Sequence, residues 1–365
     1  MAIRFWYIRD YLCANVNEWE KGWSTWIEPS RITHISKQND AGKLAMKAVF
    51  LDRQTFSSDI SFSAIEQEVS ELVCYANTPD EQVLERCKNV ELVITNKVVL
   101  TAELLVKLPA LKLICIAATG YNNVDIKAAT SLGIAVTNVS GYAGQSVAQY
   151  VLAQILEYYQ QTSHHNANTE QGHWQKNETF CYHGNAITEL AGKTLGIIGY
   201  GHLGQAVIKL ADAFGMTVLI SERVNSPEIR QGRVSFDQVI TQADIISLHC
   251  PQTPDTENLI NSNILAKMKP TAMLINTARG ALVNSTDLLS ALTTEQIAYA
   301  VLDVLEQEPP PADHPLLNAK LANLKITAHI AWASSEAQQR LINLLSENIA
   351  VFKQGKQLNR LDIAS

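Results

Sequence analysis

Cysteine pairs at the spacing that binds zinc or exchanges disulfides are absent from this sequence of 365 residues. It contains six cysteines, and none of them forms a C-x-x-C motif, which disfavours zinc ribbons and thioredoxin-like redox sites. The formal net charge of -7 also provides no basic stripe for a phosphate backbone. We therefore expect no metal site, no nucleic-acid partner and thiols that stay reduced.

Long apolar runs are missing as well. No stretch of about 18 uncharged apolar residues occurs, and charged residues interrupt the apolar ones near the N-terminus. These features predict neither a membrane span nor a secretory signal, and hence a cytoplasmic protein. With 47% hydrophobic residues, the chain is long enough to form two domains that each have a core.

Residues 1–45 differ from the rest of the chain. Four of the six tryptophans lie there, without a helical or an alternating period. A partner-binding arm and a simple extension both fit this segment, and we favour an extension of unknown role. The first domain is expected to begin at Met46, where the sequence MKAVFLD has the composition of a β-strand.

Short apolar runs alternate with helical patterns after Met46, which is typical of parallel α/β sheets. The predicted strands cover 48–51, 92–95, 113–117 and 134–137 in a first series, and 194–198, 217–220, 245–248, 273–276, 298–302 and 324–328 in a second. Helical periodicity returns at about 335–352. We predict an α/β fold with two Rossmann-like doubly wound domains. One domain, residues 146–334, would be inserted into the other, residues 46–145 and 335–365.

A glycine-rich loop is the strongest local motif. Gly199, Gly201 and Gly204 follow a predicted strand and open a predicted helix, as in a dinucleotide-binding fingerprint. Such glycines let the backbone approach a pyrophosphate, whose charge is stabilised by the helix N-terminus. The next strand ends at Glu222, which can accept hydrogen bonds from the adenosine ribose and repel the extra phosphate of NADP. NAD is the predicted cofactor, and NADP is the alternative because the neighbouring Arg223 could bind that phosphate.

Three polar side chains follow strands of the second series: Arg279, Glu308 and His329. Ligands of open α/β sheets bind beyond the carboxyl ends of the strands. An arginine can hold a carboxylate through two parallel hydrogen bonds, a histidine can exchange a proton near neutral pH, and a carboxylate can orient the imidazole. Together these side chains suit the reduction of a 2-oxo acid.

Six segments resemble the D-2-hydroxyacid dehydrogenase family, and the resemblance extends over residues 46–352. They are ATGYNNVD (118–125), GIIGYGHLGQAV (196–207), LHCPQTPDTENLI (248–260), LINTARGALV (274–283), LDVLEQEPP (302–310) and ITAHIAWAS (326–334). The resemblance implies that Arg279, Glu308 and His329 are catalytic. It also implies a homodimer, in which an arm at about 150–190 wraps around the partner subunit.

The resemblance further assigns ligand contacts. The backbone at Thr119 and Gly120 is implied to bind the substrate carboxylate together with Arg279, and Asp303 is implied to contact the nicotinamide carboxamide. Seven other residues are implied to line the cofactor: His202, Leu203, Cys250, Pro251, Thr256, Thr277 and Ala278.

Within the family, segments 95–97, 118–120 and 329–332 are similar to those of glycerate dehydrogenases. This implies D-glycerate and hydroxypyruvate as substrates, with glyoxylate also accepted; D-lactate and phosphoglycerate dehydrogenases are alternatives. An NAD-sensing corepressor on the same fold is a further alternative, disfavoured because no catalytic residue is lost. Formate dehydrogenase is disfavoured because it has no use for the Glu308–His329 pair. Whether Trp332 packs in the core or forms a wall of the substrate pocket stays open.

Overall fold

The structure, a computed structural model, describes residues 46–363. The extension predicted at residues 1–45 lies outside the described residues. Two parallel β-sheets with accompanying helices form the framework, and they contain five and six strands. The predicted α/β fold with two doubly wound domains is confirmed.

The first sheet has the strand order β2-β1-β3-β4-β5, and each neighbouring pair is parallel. β4 is buried at all four positions, in agreement with the continuous apolar runs expected when helices cover both faces. The strands are β1 (Lys47–Phe50), β2 (Glu71–Cys74), β3 (Leu92–Thr95), β4 (Leu113–Ile116) and β5 (Ala135–Thr137). The accompanying helices are α1 (Ser63–Glu68), α2 (Asp80–Cys87), α3 (Ala102–Leu105) and α4 (Ile126–Ser131).

The strand β2 was not predicted from the sequence. It is an edge strand of the first sheet, and among its four residues only Leu72 is buried. The apolar run at 72–76 is as long as those of the predicted strands, so it was a strand signal that the prediction overlooked. The other four strands of this sheet begin and end within one residue of the predicted positions.

The second sheet has the order β11-β10-β9-β8-β6-β7, again with parallel neighbours. All six of its strands were predicted. They are β6 (Thr194–Ile198), β7 (Thr217–Ile220), β8 (Ile245–Leu248), β9 (Met273–Asn276), β10 (Tyr299–Leu302) and β11 (Leu324–Ile326). The remaining helices are α5 (Gly144–Gln160), α6 (Thr162–Glu170), α7 (His202–Ala213), α8 (Phe236–Gln242), α9 (Ser262–Leu265), α10 (Ser285–Thr293), α11 (Pro315–Asn318) and α12 (Ser335–Lys353).

Each sheet has one switch point, at which successive strands are added on opposite sides. The switch point lies between β1 and β3 in the first sheet and between β6 and β8 in the second. Doubly wound sheets bind ligands at such points, beyond the carboxyl ends of the strands. The loops that follow these four strands are therefore the first place to look for a site.

Helix α12, predicted at about 335–352, returns to the first sheet and packs against α1 and β4. Its buried Gln338 accepts a hydrogen bond from the backbone N–H of Ser57 at 2.8 Å, which ties the helix to the loop before α1. This packing supports a discontinuous first domain. The limits 46–145, 335–365 and 146–334 stay predictions.

Within residues 46–363, no helix is long and apolar enough to cross a membrane. The same residues bring together no three His, Cys, Asp or Glu side chains that could hold a metal ion. The five cysteines of this part of the chain are free thiols.

Candidate active site

A cavity of about 610 Å³ is lined by loops that follow strands of both sheets. Most of the predicted site residues line it: Thr119, Gly120, Gly201, His202, Leu203, Cys250, Pro251, Thr277, Ala278, Arg279, Asp303 and His329. The predicted residues Gly199, Gly204, Glu222, Thr256 and Glu308 lie outside this lining. The fold therefore brings the predicted substrate, cofactor and catalytic groups to one place.

Glu308 and His329 form a hydrogen-bonded pair, with 2.6 Å between Oε2 of Glu308 and Nδ1 of His329. The backbone N–H of Leu305 donates to the other oxygen of Glu308 at 3.2 Å. Burial raises the pKa of Glu308, but the hydrogen bond and charge of His329 outweigh burial and hold this pKa below its ordinary value. An ionised Glu308 thus orients the imidazole through Nδ1 and leaves Nε2 available to a ligand.

Asp303 holds the turn that carries His329. Its carbonyl oxygen accepts from the N–H of His329 at 2.8 Å. Its carboxylate accepts from the N–H groups of Ile330 and Ala331, at 2.9 and 2.8 Å, and from the hydroxyl of Thr327 at 2.6 Å. His329 has a φ of 54°, in the left-handed region that costs a non-glycine residue about 1–2 kcal/mol, so this network fixes an unfavourable backbone. A carboxylate has about four acceptor positions, which leaves one for the predicted nicotinamide contact.

Arg279 and the loop after β4 form an end of the cavity that is rich in donors. The guanidinium lies against Gly120, where a side chain would push it out of its observed position. Arg279 also donates to the carbonyl oxygen of Ala278 at 2.6 Å. The backbone amides of Thr119 and Gly120 donate to no described residue. Guanidinium and free amides together can hold a carboxylate.

The glycine loop has the geometry of a dinucleotide-binding turn. Gly199 has a φ of +104°, and a side chain there would collide with the backbone at 249–250. A side chain at Gly204 would collide with the carbonyl oxygen of Gly199, so the start of α7 can pack closely on β6. At Gly201 a Cβ would meet no atom within 4 Å, which leaves room for a pyrophosphate beside the helix N-terminus.

Thr277 and Thr256, both predicted to line the cofactor, differ in their surroundings. The Thr277 hydroxyl lines the cavity and is buried without a partner among the described residues. An unsatisfied buried hydroxyl costs about 1–3 kcal/mol, so a polar cofactor group fits there. Thr256 instead donates to the carbonyl oxygen of Pro251 at 2.8 Å and accepts from the N–H of Thr253 at 2.7 Å. It shapes the loop that presents Pro251 and does not face the cavity.

A second histidine of the cavity, His249, is not a competing proton donor. Burial lowers its pKa to about 4, and its Nε2 lies 2.9 Å from the Ser247 hydroxyl. It therefore stays neutral at physiological pH.

Glu222 follows β7, at the position expected for the residue that contacts the adenosine ribose. Its side chain is only 2% exposed, because Arg230 donates from Nε to Oε2 at 2.7 Å and contacts Oε1 through Nη2. The N–H of Arg223 donates to Oε1 at 2.9 Å, and Arg233 lies 3.7 Å from the same oxygen. The hydrogen bond from Arg230 is the main reason why the pKa of Glu222 is well below its ordinary value. A ribose hydroxyl can reach this carboxylate only after Arg230 moves.

Several further cavity residues were given no ligand contact from the sequence, among them Asn96, Lys97 and Tyr142, and Trp332 also lines the cavity. Burial raises the pKa of Tyr142 to about 12, so its hydroxyl stays protonated. Trp332 makes edge contacts with Phe56 and Tyr142, with ring centroids 5.8 and 6.1 Å apart. Trp332 therefore serves both roles that the sequence left open, core packing and cavity wall. The sequence signals for Asn96 and Lys97 were their position after a predicted strand and the similarity of segment 95–97 to glycerate dehydrogenases.

Comparison with known proteins identifies the family. Residues 152–331 match the family described as D-isomer specific 2-hydroxyacid dehydrogenase, NAD binding domain. The chain is 41% identical over 317 residues to glycerate dehydrogenase from Methylorubrum extorquens, covering 87% of this chain and 99% of that protein. It is 37% identical over 321 residues to hydroxypyruvate reductase from Blautia hydrogenotrophica, covering 86% and 99%.

Among solved structures, the chain is similar to NAD-dependent formate dehydrogenase from Staphylococcus aureus in complex with NAD. The TM-score is 0.68 at 28% identity, with 88% of this chain and 100% of that chain covered. Fold, glycine loop and family match define an NAD-linked oxidoreductase. The chain belongs to the D-isomer specific 2-hydroxyacid dehydrogenases. The predicted family and the predicted cofactor NAD are confirmed.

The ion pair at Glu222 generates a prediction about cofactor choice. Arg230→Ala should remove the side-chain contacts to both carboxylate oxygens, which opens an acceptor position on each for ribose hydroxyls, and it should remove a cation that favours a 2′-phosphate. We expect the dissociation constant of NADH to fall and that of NADPH to rise, each by about 3- to 30-fold. Fluorescence titration of the nucleotides measures both constants. Arg223→Ala, whose side chain makes no ion pair with Glu222, should leave NADH affinity unchanged. Unchanged NADH affinity in Arg230→Ala would contradict the prediction.

Proposed function

We propose that this NAD-linked 2-hydroxyacid oxidoreductase interconverts hydroxypyruvate and D-glycerate, and that it also reduces glyoxylate. The observation that carries the proposal is the Glu308–His329 pair, 2.6 Å apart, at the same cavity as Arg279. The similarity to a glycerate dehydrogenase and a hydroxypyruvate reductase over nearly their whole lengths supports the choice of substrate.

Substrate binding begins with the carboxylate. Arg279 donates a pair of hydrogen bonds to it, and the free amides of Thr119 and Gly120 add further donors. Four donors at one end of the cavity fix the acid in a single orientation. With the carboxylate there, the 2-oxo group lies next to Arg279 and faces His329.

Proton transfer is the step that the Glu308–His329 pair performs. Bound NADH supplies the hydride that reduces the carbonyl carbon. Protonated His329 donates from Nε2 to the oxygen as negative charge develops on it, and Arg279 stabilises that charge. Glu308 keeps the imidazole in place through Nδ1 and stabilises the imidazolium form. In the reverse direction, neutral His329 removes the proton from the hydroxyl group of D-glycerate.

We also propose a cytoplasmic homodimer. Large apolar side chains on the arm after α6 support self-association: Trp174 is 52% exposed, Phe180 89% and Ile187 58%. The arm nevertheless has local order, because the indole N–H of Trp174 donates to the carbonyl oxygen of Phe180 at 2.9 Å. Apolar groups exposed on an ordered segment are typical of a surface that a second subunit covers.

The dimer proposal predicts the mass of the protein in solution. Light scattering at micromolar concentration should give twice the mass of one chain, and Phe180→Asp should shift the protein toward the monomer by placing a charge in the interface. The matched change Val106→Asp alters a side chain that is also exposed but lies outside the arm, and it should leave the mass at two chains. A wild-type protein with the mass of one chain would contradict the proposal.

The proton-donor assignment predicts the effect of His329→Ala. Wild-type protein should reduce hydroxypyruvate with NADH faster than it reduces pyruvate or phosphohydroxypyruvate. In His329→Ala, kcat for hydroxypyruvate should be lower than in the wild type by about 10²- to 10⁴-fold. Its dissociation constant for NADH should stay near the wild-type value, because the imidazole acts on the substrate. His164→Ala, which removes an exposed histidine outside the cavity, serves as the control. Retained turnover in His329→Ala would contradict the assignment of His329 as the proton donor.

A further inference from the structure

Lys97 is a charged residue of the cavity that the proposed mechanism does not use. It follows β3, at the switch point of the first sheet, and it lines the cavity together with Arg279 and His329. Its ammonium group has no hydrogen-bond or ion-pair partner among the described residues. Lys97 is an exposed residue at the edge of the cavity. Desolvation by the surrounding cavity and the positive charge of Arg279 lower the pKa of Lys97, and Glu308 and Asp52 partly oppose this shift. A lysine that lacks a protein partner next to the catalytic groups is available to a ligand.

The backbone of Lys97 is held in a fixed position. Asp52 follows β1, the other strand of the switch point, and is only 2% exposed. Its carboxylate accepts from the N–H groups of Asn96, Lys97 and Val98, at 2.9, 2.6 and 3.2 Å. Burying a carboxylate is unfavourable unless such bonds satisfy it, so these contacts determine the path of the chain after β3. The Lys97 side chain therefore starts from a rigid base beside the cavity.

The substrate explains why a second cation would be placed there. A 2-oxo acid has one carboxylate, and Arg279 with the amides of Thr119 and Gly120 already provides donors for it. The oxygen of the 2-oxo group has His329 as its proton donor. The remaining polar atom of hydroxypyruvate is its 3-hydroxyl oxygen, and an ammonium group is a compact donor with three N–H bonds.

We propose that Lys97 is a specificity-determining residue, which donates a hydrogen bond to the oxygen on C3 of the substrate. The inference rests on the proposed function and gives a physical reason why hydroxypyruvate is the preferred substrate. It explains selection of hydroxypyruvate over pyruvate, because the two acids differ only in that hydroxyl group. Pyruvate has no oxygen on C3, so this acid gains no hydrogen bond from the Lys97 ammonium group.

The test compares two acids in two variants. Lys97→Met removes the ammonium group and keeps an unbranched side chain, and kcat/KM is measured with NADH for hydroxypyruvate and for pyruvate. The ratio of the two values should fall by about 10- to 100-fold, since a hydrogen bond from a charged donor is lost for one acid only. Lys97→Arg should restore part of the ratio. Lys107→Met, which changes an exposed lysine outside the cavity, should keep the wild-type ratio.

Other results would overturn the proposal. An unchanged ratio in Lys97→Met means that the 3-hydroxyl group is recognised elsewhere. An equal loss for both acids means that Lys97 acts on the carboxylate that the two acids share or on Glu308. Arg279→Lys should give such an equal loss, because Arg279 binds the shared carboxylate. Lys97→Gln replaces Lys97→Met if the latter binds NADH abnormally and so is misfolded. A wild-type enzyme that reduces neither acid refutes the proposed function itself, which separates that failure from failure of the Lys97 assignment.

Discussion

The hydrogen bonds accepted by Asp303 are the constraint on which the rest of the site depends. This residue directly follows β10 and, with 1% of its surface exposed, binds the loop after β11 through its carbonyl oxygen and both carboxylate oxygens. These bonds hold His329 at a positive φ, from which the imidazole meets Glu308. Without them, the imidazole would lose its fixed orientation, and proton transfer needs the donor within hydrogen-bonding distance of the substrate oxygen.

The two sheets contribute different functional groups to the cavity. The first sheet contributes the free amides after β4 and Lys97 after β3, while the second contributes the glycine loop, Arg279 and His329. Contact between the two sets is close, because the guanidinium of Arg279 occupies the space that a side chain on Gly120 would fill. Substrate recognition and proton transfer thus require both sheets in their observed arrangement. The return of α12 to the first sheet helps to keep that arrangement, since the chain crosses between the sheets twice.

Local patterns predicted the fold, and together with the resemblance to the family they predicted most of the residues that the structure brings together around the cavity. The glycine loop was predictable because strand, turn and helix are contiguous, and Arg279, Glu308 and His329 were identified by their positions after strands and by resemblance to the family. The pairing of Glu222 with Arg230, the turn held by Asp303 and the cavity position of Lys97 were not predicted. Each depends on residues that the fold brings together or on the path of a loop, which periodicity does not report. The edge strand β2 was missed although its apolar run at 72–76 is as long as those of the strands that were predicted.

The central claim is that Glu308 and His329 exchange a proton with the substrate as a pair. The value of kcat for hydroxypyruvate reduction with NADH, measured for the wild type, Glu308→Gln, His329→Ala and the double variant, tests it most directly. In this account Glu308 acts on the substrate only through the imidazole that it orients, with 2.6 Å between its Oε2 and Nδ1 of His329. We therefore predict that Glu308→Gln lowers kcat in the wild type but causes no further loss in His329→Ala, while NADH affinity is kept in all variants. Independent losses, in which the double variant is reduced by the product of the two single effects, would contradict the account.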